Sequence, residues 1–143
     1  MIKMICGGKK NEGFALDGIQ EYEKRLRKPY DLKWEFYDEE KLAKMLAEWP
    51  FSHDDYVILT DERGKMISSL DFASKLDSSF TNSRNVIILI GGAYGFSEDA
   101  RRRADFVWSF SDLVFPHQLF RLMVTEQIYR AQEINRGSNY HHM

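Results

Sequence analysis

The chain has 143 residues, of which 43% are hydrophobic, 14% aromatic and 29% charged, and its formal net charge is −2. That supplies apolar material for one packed domain over residues 1–143 and argues against a disordered chain. It also excludes a polycation, so any nucleic-acid contact must come from a local basic patch.

Met1–Cys6 reads as a first strand ending at Gly7-Gly8. Cys6, the only cysteine, cannot form an internal disulfide. In an apolar strand it is expected to be a buried, inert thiol of a reducing compartment. No basic-then-apolar leader precedes this strand and no run is long enough to span a membrane, so the expectation is a soluble cytoplasmic protein with no membrane contact. Between Asn11 and Lys28, Phe14, Ala15, Ile19, Tyr22 and Leu26 recur at helical spacing. Lys24, Arg25, Arg27 and Lys28 fall at the C-terminal end, where cations suit the helix dipole, and Pro29 stops the helix. Leu32–Tyr37 alternates as a second strand, and Glu39–Trp49 is a second helix ended by Pro50.

Tyr56–Thr60 is a third strand, Asp61–Lys65 a turn, and Ser69 the N-cap of a helix to about Phe80. Asn85–Ile90 opens on polar Asn85 and continues as the apolar run VIILI, too short for a buried helix and rich in β-branched residues. It reads as a central strand of a parallel sheet. Ser97-Glu98-Asp99 opens a short helix that closes on Arg101, Arg102 and Arg103. Phe106–Ser109 is a fifth strand. Pro116 suits the first position of the longest helix, which runs to about Arg136 and ends at Gly137. Strands alternating with helices give an α/β fold, a mostly parallel sheet with helices on both faces. The last helix carries apolar or aromatic groups almost all round, from Leu119 to Ile134, more than so short a chain can hide. A two-fold homodimer is the simplest cover.

Four features could carry chemistry. Gly91-Gly92-Ala93-Tyr94-Gly95 follows the central strand, where open α/β sheets bind ligands. It is either a plain strand-to-helix turn or the cradle of a nucleoside without phosphates, because Gly-Lys-Ser/Thr and the dinucleotide spacing are both absent. Ser109–His117 is either a packed connection or a slot in which apolar side chains and main-chain groups hold a flat adenine. His117 itself reads as a helix-start side chain satisfied by nearby backbone. Glu126, Gln127, Tyr129 and Arg130 are polar groups on an apolar helix. They form a structural ion pair, Arg130 with Glu126 four residues back, or they place Arg130 in an active site. The tail, Asn139–Met143, is a frayed end on composition alone. Alternatively it brings an aromatic and an imidazole to a base. No metal-ligand cluster is present.

In combination, IGGAYG, SFSDLVFPHQL, EQIYRA and RGSNYH, in this order at the end of so short a chain, resemble the SPOUT methyltransferases. Within them they resemble the bacterial family that methylates N3 of a pseudouridine in large-subunit ribosomal RNA. The similarity runs over essentially the whole chain. It implies a homodimer whose C-terminal part is threaded as a trefoil knot, with S-adenosylmethionine (S-adenosyl-L-methionine) bound in the knot. The matching cofactor positions are Thr60, Gly91, Gly92, Gly95, Phe110, Ser111, Asp112, Leu113, Val114 and Phe115. The implied substrate is a pseudouridine in the intersubunit-bridge stem-loop of 23S rRNA, within the assembled 70S ribosome. Arg130 is then the anion stabiliser, Tyr140 the base-orienting group and His141 the proton acceptor or phosphate contact. Three positions depart from the family pattern: Thr60 stands where leucine is expected, Tyr94 where related enzymes carry an acid, and the tail ends His141-His142-Met143. The local RNA patch is expected from Lys9, Lys10, Arg25, Arg27, Lys28 and the tail. Two alternatives stand beside this reading: a SPOUT enzyme of another RNA nucleotide, and a ligand-binding module without catalysis.

Overall fold

The computed structural model describes residues 1–142; Met143, the end of the tail, lies outside the described residues. Five strands, β1 (Ile2–Gly7), β2 (Leu32–Tyr37), β3 (Asp55–Lys65), β4 (Asn85–Ile90) and β5 (Phe106–Trp108), form one sheet in the order β2-β1-β4-β3-β5. Every pairing is parallel. The helices are α1 (Gly13–Glu23), α2 (Glu39–Glu48), α3 (Ser69–Thr81), α4 (Glu98–Arg103) and α5 (His117–Asn135).

The period of two along each strand divides the core between the faces. On β4, Val86, Ile88 and Ile90 pack with Leu76 of α3 and Val124, Ile128 and Ala131 of α5. Ile87 and Leu89 face the other way, onto Leu42 and Leu46 of α2 and Ala100 of α4. Burial of β4 on both faces explains why it reads as an unbroken apolar run. Cys6 is buried, and burial pushes its thiol up from 9.0 to about 12, with Arg121 opposing; it is the inert thiol expected.

Four boundaries differ from the sequence reading. α1 ends at Glu23, six residues before Pro29 rather than against it. The side chain of Gln132 accepts from Arg27 N at 2.7 Å and donates to the Arg25 carbonyl at 2.9 Å, and these bonds hold residues 24–27 in turns. The N-cap of α3 is Ser68, whose Oγ accepts from Asp71 N at 3.0 Å; the Ser69 hydroxyl instead donates to Gln127. Pro116 is the N-cap of α5, one position ahead of the helix. Asp61–Lys65 is not a free turn: Thr60 and Lys65 both pair with Trp108, so residues 61–64 bulge from β3 while its ladder to β5 continues. Gly64 permits this, because a Cβ there would stand 2.5 Å from the Val107 carbonyl oxygen.

Candidate active site

The C-terminal ends of β3, β4 and β5 open into a cleft of about 270 Å³. Thr60, Gly91, Gly92, Gly95, Phe110, Ser111, Leu113, Val114 and Phe115 all line it, as the sequence suggests; Asp112 is exposed and does not. The Thr60 hydroxyl is not a free group in this wall, since it donates to the Leu89 carbonyl at 2.9 Å. Gly92 begins a turn closed by Gly95 N donating to Gly92 O at 3.2 Å, and Gly95 takes φ +67°, the left-handed region that favours glycine. Tyr94 stands at the rim, 87% exposed.

The opposite wall is moored by an aromatic ladder. Phe72 stacks on Trp108 at 4.1 Å, Trp108 meets Phe110 at 4.5 Å, and Phe110 meets Phe120 of α5 at 4.8 Å. Ser111 Oγ accepts from Leu113 N at 3.0 Å and shapes the loop tip. The ladder leaves Leu113 and Val114 uncovered, 68% and 80% exposed, beside buried aromatic rings. An apolar slot with main-chain donors and acceptors suits a flat heterocycle.

The sequence reading passed over Asp61, Glu62 and Arg63, which also line the cleft. Asp61 Oδ1 accepts from Arg63 N at 2.9 Å, and Oδ2 lies 3.6 Å from Arg101 Nη1. Arg101 also donates to the Phe96 carbonyl at 2.7 Å, so one guanidinium links the bulge to the glycine turn. The signal available in the sequence was Asp-x-Arg followed by glycine, an Asx turn next to a close backbone approach. His117 opens α5 in the cleft wall with its side chain exposed.

Arg130, Tyr140 and His141 come together elsewhere. Glu126 Oε2 accepts from Arg130 Nη2 at 2.8 Å and from the Tyr140 hydroxyl at 2.9 Å. The Arg130 guanidinium lies 4.9 Å over the Tyr140 ring, and Arg130 Nη1 bonds His141 Nδ1 at 2.9 Å. The tail is therefore folded back on α5 as far as His141, and the Glu126–Arg130 pair is also present. Tyr140 meets the Tyr129 ring edge-on at 4.9 Å. Burial, then the bond to Glu126, raises the Tyr140 phenol well above its ordinary range. His142 is exposed and outside this cluster.

Thirteen residues of α5 separate His117 in the cleft from Arg130, which at 1.5 Å per residue is roughly 20 Å. Between them Leu119, Leu122 and Met123 face a hollow completed by Gly18 and Tyr22 of α1. Within one chain the cleft and the cluster are therefore apart.

A parallel α/β sheet with a cleft at its strand ends, where such sheets bind ligands, and a polar cluster set on its last helix, defines the class of fold. A family model described as "Predicted SPOUT methyltransferase" matches residues 1–141. The chain is 38% identical to a protein named ribosomal RNA large subunit methyltransferase H from Desulfitobacterium hafniense, over 98% of both chains. It is 37% identical to one of the same name from Caldicellulosiruptor saccharolyticus, over 99% of both. The chain belongs to the SPOUT methyltransferase family. Two solved structures share the fold: a probable methylase family protein from Haemophilus influenzae (TM-score 0.55, 11% identity, 99% of this chain and 70% of that one) and the SpoU methyltransferase AviRb from Streptomyces viridochromogenes (TM-score 0.50, 12% identity, 96% and 61%).

Proposed function

We propose that this chain is a single-domain enzyme that transfers the methyl group of S-adenosylmethionine to N3 of a pseudouridine in 23S rRNA. In this reading it acts on the assembled ribosome, in the cytoplasm, as a homodimer whose C-terminal third is threaded as a trefoil knot. Full-length similarity to proteins named for large-subunit rRNA methylation supports the reaction. The seating of α5 against both α1 and α3 is compatible with the threading.

The cleft fits the cofactor by the chemistry of its lining. Leu113, Val114 and Phe115 suit the purine, while Asp61 is already held by Arg101 and by Arg63 N, so in this wall the Glu62 carboxylate and the Arg63 cation stand beside the slot. When bound, the cofactor supplies a methyl group on a positive sulfur, so that N3 gains the methyl as the C–S bond's electron pair stays on sulfur. The chain's part is to hold the base in line and favour loss of the N3 proton. Arg130 stabilises the resulting imide anion, and Tyr140 presents a ring for the base to stack on. In the observed arrangement His141 Nδ1 accepts from Arg130, which leaves Nε2–H as an outward donor. That geometry favours a contact to phosphate or to a water over direct proton acceptance, and the N3 proton then leaves to solvent water.

The single observation that carries the dimer is the separation of roughly 20 Å between cleft and cluster, bridged by an uncovered apolar face. A two-fold axis through Leu122–Met123 on antiparallel α5 helices would bring Arg130 of one copy to about the level of Phe115, a cleft residue, of the other. The test is methyl transfer from labelled cofactor to ribosomes of a strain lacking the modification, followed by mass mapping of rRNA and tRNA. A label on pseudouridine N3 of 23S rRNA is expected. A label on another nucleotide, or none, overturns the reading.

A further inference from the structure

Behind the catalytic cluster lies a second cavity, of about 620 Å³, between the turns that follow α1 and the C-terminal end of α5. Tyr129 belongs to both places: one edge of its ring meets Tyr140, and it lines this cavity. We infer that this cavity is a docking site for the phosphate backbone of RNA, seating the strand that flanks the nucleotide presented to Arg130 and Tyr140. The inference rests on the proposed RNA substrate and names the surface that receives it.

Three observations carry it. First, Arg27 donates through Nη1 to the carbonyls of Lys24 at 2.9 Å and Leu26 at 3.1 Å. Its planar fork is thus fixed by main chain, with Nε and Nη2 left as donors. Second, the positive charge of Arg27 and Lys28 is not cancelled. Among the described residues neither Arg27 nor Lys28 pairs with an acid, and Arg25 is held mainly by the Glu21 carbonyl at 2.7 Å, its Nη2 4.0 Å from the Glu21 carboxylate. The Glu133 carboxylate at the back is occupied by Arg136, at 2.7 and 2.9 Å. Third, the backbone carrying these cations is anchored to the catalytic helix. Gln132, 7% exposed, grips both Arg25 and Arg27. A preset fork of uncancelled cations suits phosphates, which several donors can share. Capping the carbonyls at the end of α1 explains one donor nitrogen of each arginine, but neither Lys28 nor the cavity itself.

Two carboxylates line the cavity: Glu133 is taken by Arg136, and Asp77 of α3, exposed and with no ion-pair partner among the described residues, is the one that opposes an anion. This gives a test with variants of opposite sign, of which the tightening one cannot arise from misfolding. The dimeric full-length protein is titrated with a synthetic stem-loop of large-subunit rRNA across a salt series, and KM and kcat are measured on unmodified ribosomes. For Arg27→Ala with Lys28→Ala, RNA affinity and ribosome KM are expected to worsen tenfold or more with kcat within about twofold. The salt slope should flatten by roughly one to two, and S-adenosylmethionine affinity should be unchanged. Asp77→Asn is expected to tighten RNA binding severalfold. If both variants bind RNA as the unaltered protein does while methylation proceeds, the docking site is wrong and the proposed function stands. If the unaltered protein neither binds the stem-loop nor labels ribosomes, both fall.

Discussion

Arg130 Nη1 meets His141 Nδ1 at 2.9 Å, and because a guanidinium can only donate, Nδ1 carries the lone pair. The tail is thereby latched to α5. Arg130→Ala removes this latch together with the fork on Glu126. Methyl transfer is expected to fall at least about 100-fold, the scale of losing a donor to a developing anion. Cofactor affinity, read by calorimetry, should stay within severalfold because Arg130 is not among the residues that line the cleft. Arg130→Lys should not rescue, since an ammonium cannot hold Glu126 and His141 in one plane. Normal turnover by the alanine variant would remove Arg130 from the reaction.

Two glycines near the cleft should respond very differently to a methyl group. At Gly64 a Cβ would meet the Val107 carbonyl at 2.5 Å and Trp108 N at 2.9 Å, both main chain of β5. At Gly92 it would meet only the Glu39 carboxylate, the free end of a flexible side chain. Gly64→Ala is expected to destabilise by ~3 kcal/mol or more and to weaken cofactor binding by displacing the bulge; Gly92→Ala should cost ~1 kcal/mol or less. Urea unfolding of the two proteins checks the ranking, and equal costs would contradict the close approach of β3 to β5.

The contrast between these glycines also shows what the sequence could reveal. The glycine turn after β4 and the loop Phe110–Phe115 are local features, and both line the cleft as their residues suggest. Burial of β4 on both faces was likewise legible, since a strand covered twice has no polar side. What escaped depends on contacts far apart in sequence. Leu26 keeps the helical period of α1, yet Gln132, more than a hundred positions away, holds Arg25 and Arg27 in turns instead. Asp61–Arg63 reads as a turn because only the approach of Gly64 to Val107 makes it a cleft wall. The distance between cleft and cluster follows from the length of α5, but it acquires meaning only once the tail is seen to fold back on Glu126.

Cys6 gives a pH dependence with a definite sign. Burial raises its thiol from 9.0 to about 12 in the folded protein, so the neutral form is favoured by folding. Its contribution to stability is complete below about pH 9 and is lost as pH rises from there toward 12. Between pH 9 and 10.5 the loss should approach roughly 2 kcal/mol, at 1.36 kcal/mol per unit. Tyr30 and Tyr56, also raised by burial, add to the alkaline slope in any variant that keeps them. Urea unfolding of the unaltered protein and of Cys6→Ala at the two pH values isolates the thiol. Parallel curves would mean that Cys6 ionises as freely folded as unfolded.

The proposed dimer makes a prediction that no single-chain site can imitate. Arg130→Ala leaves a chain with a sound cleft and a defective cluster. Leu113→Glu does the reverse: Leu113 is 68% exposed, so a charge there spoils the purine slot without disturbing the core. Each homodimer should be inactive. If the site joins the cleft of one copy to the cluster of the other, a mixed dimer contains one site in which both parts are sound and one in which both are damaged. Random mixing makes about half the dimers mixed, so activity should return to roughly a quarter of the unaltered level. If each site lies within one chain, every site in the mixture carries a defect and no activity returns. A third variant, Leu122→Glu, places a charge on the apolar face between α1 and α5 and should yield monomers, seen by sedimentation, that bind cofactor weakly and methylate nothing. Restored activity in the mixture together with an inactive monomer would place the division of labour along α5; silence in the mixture would return Arg130 and the cleft to separate duties.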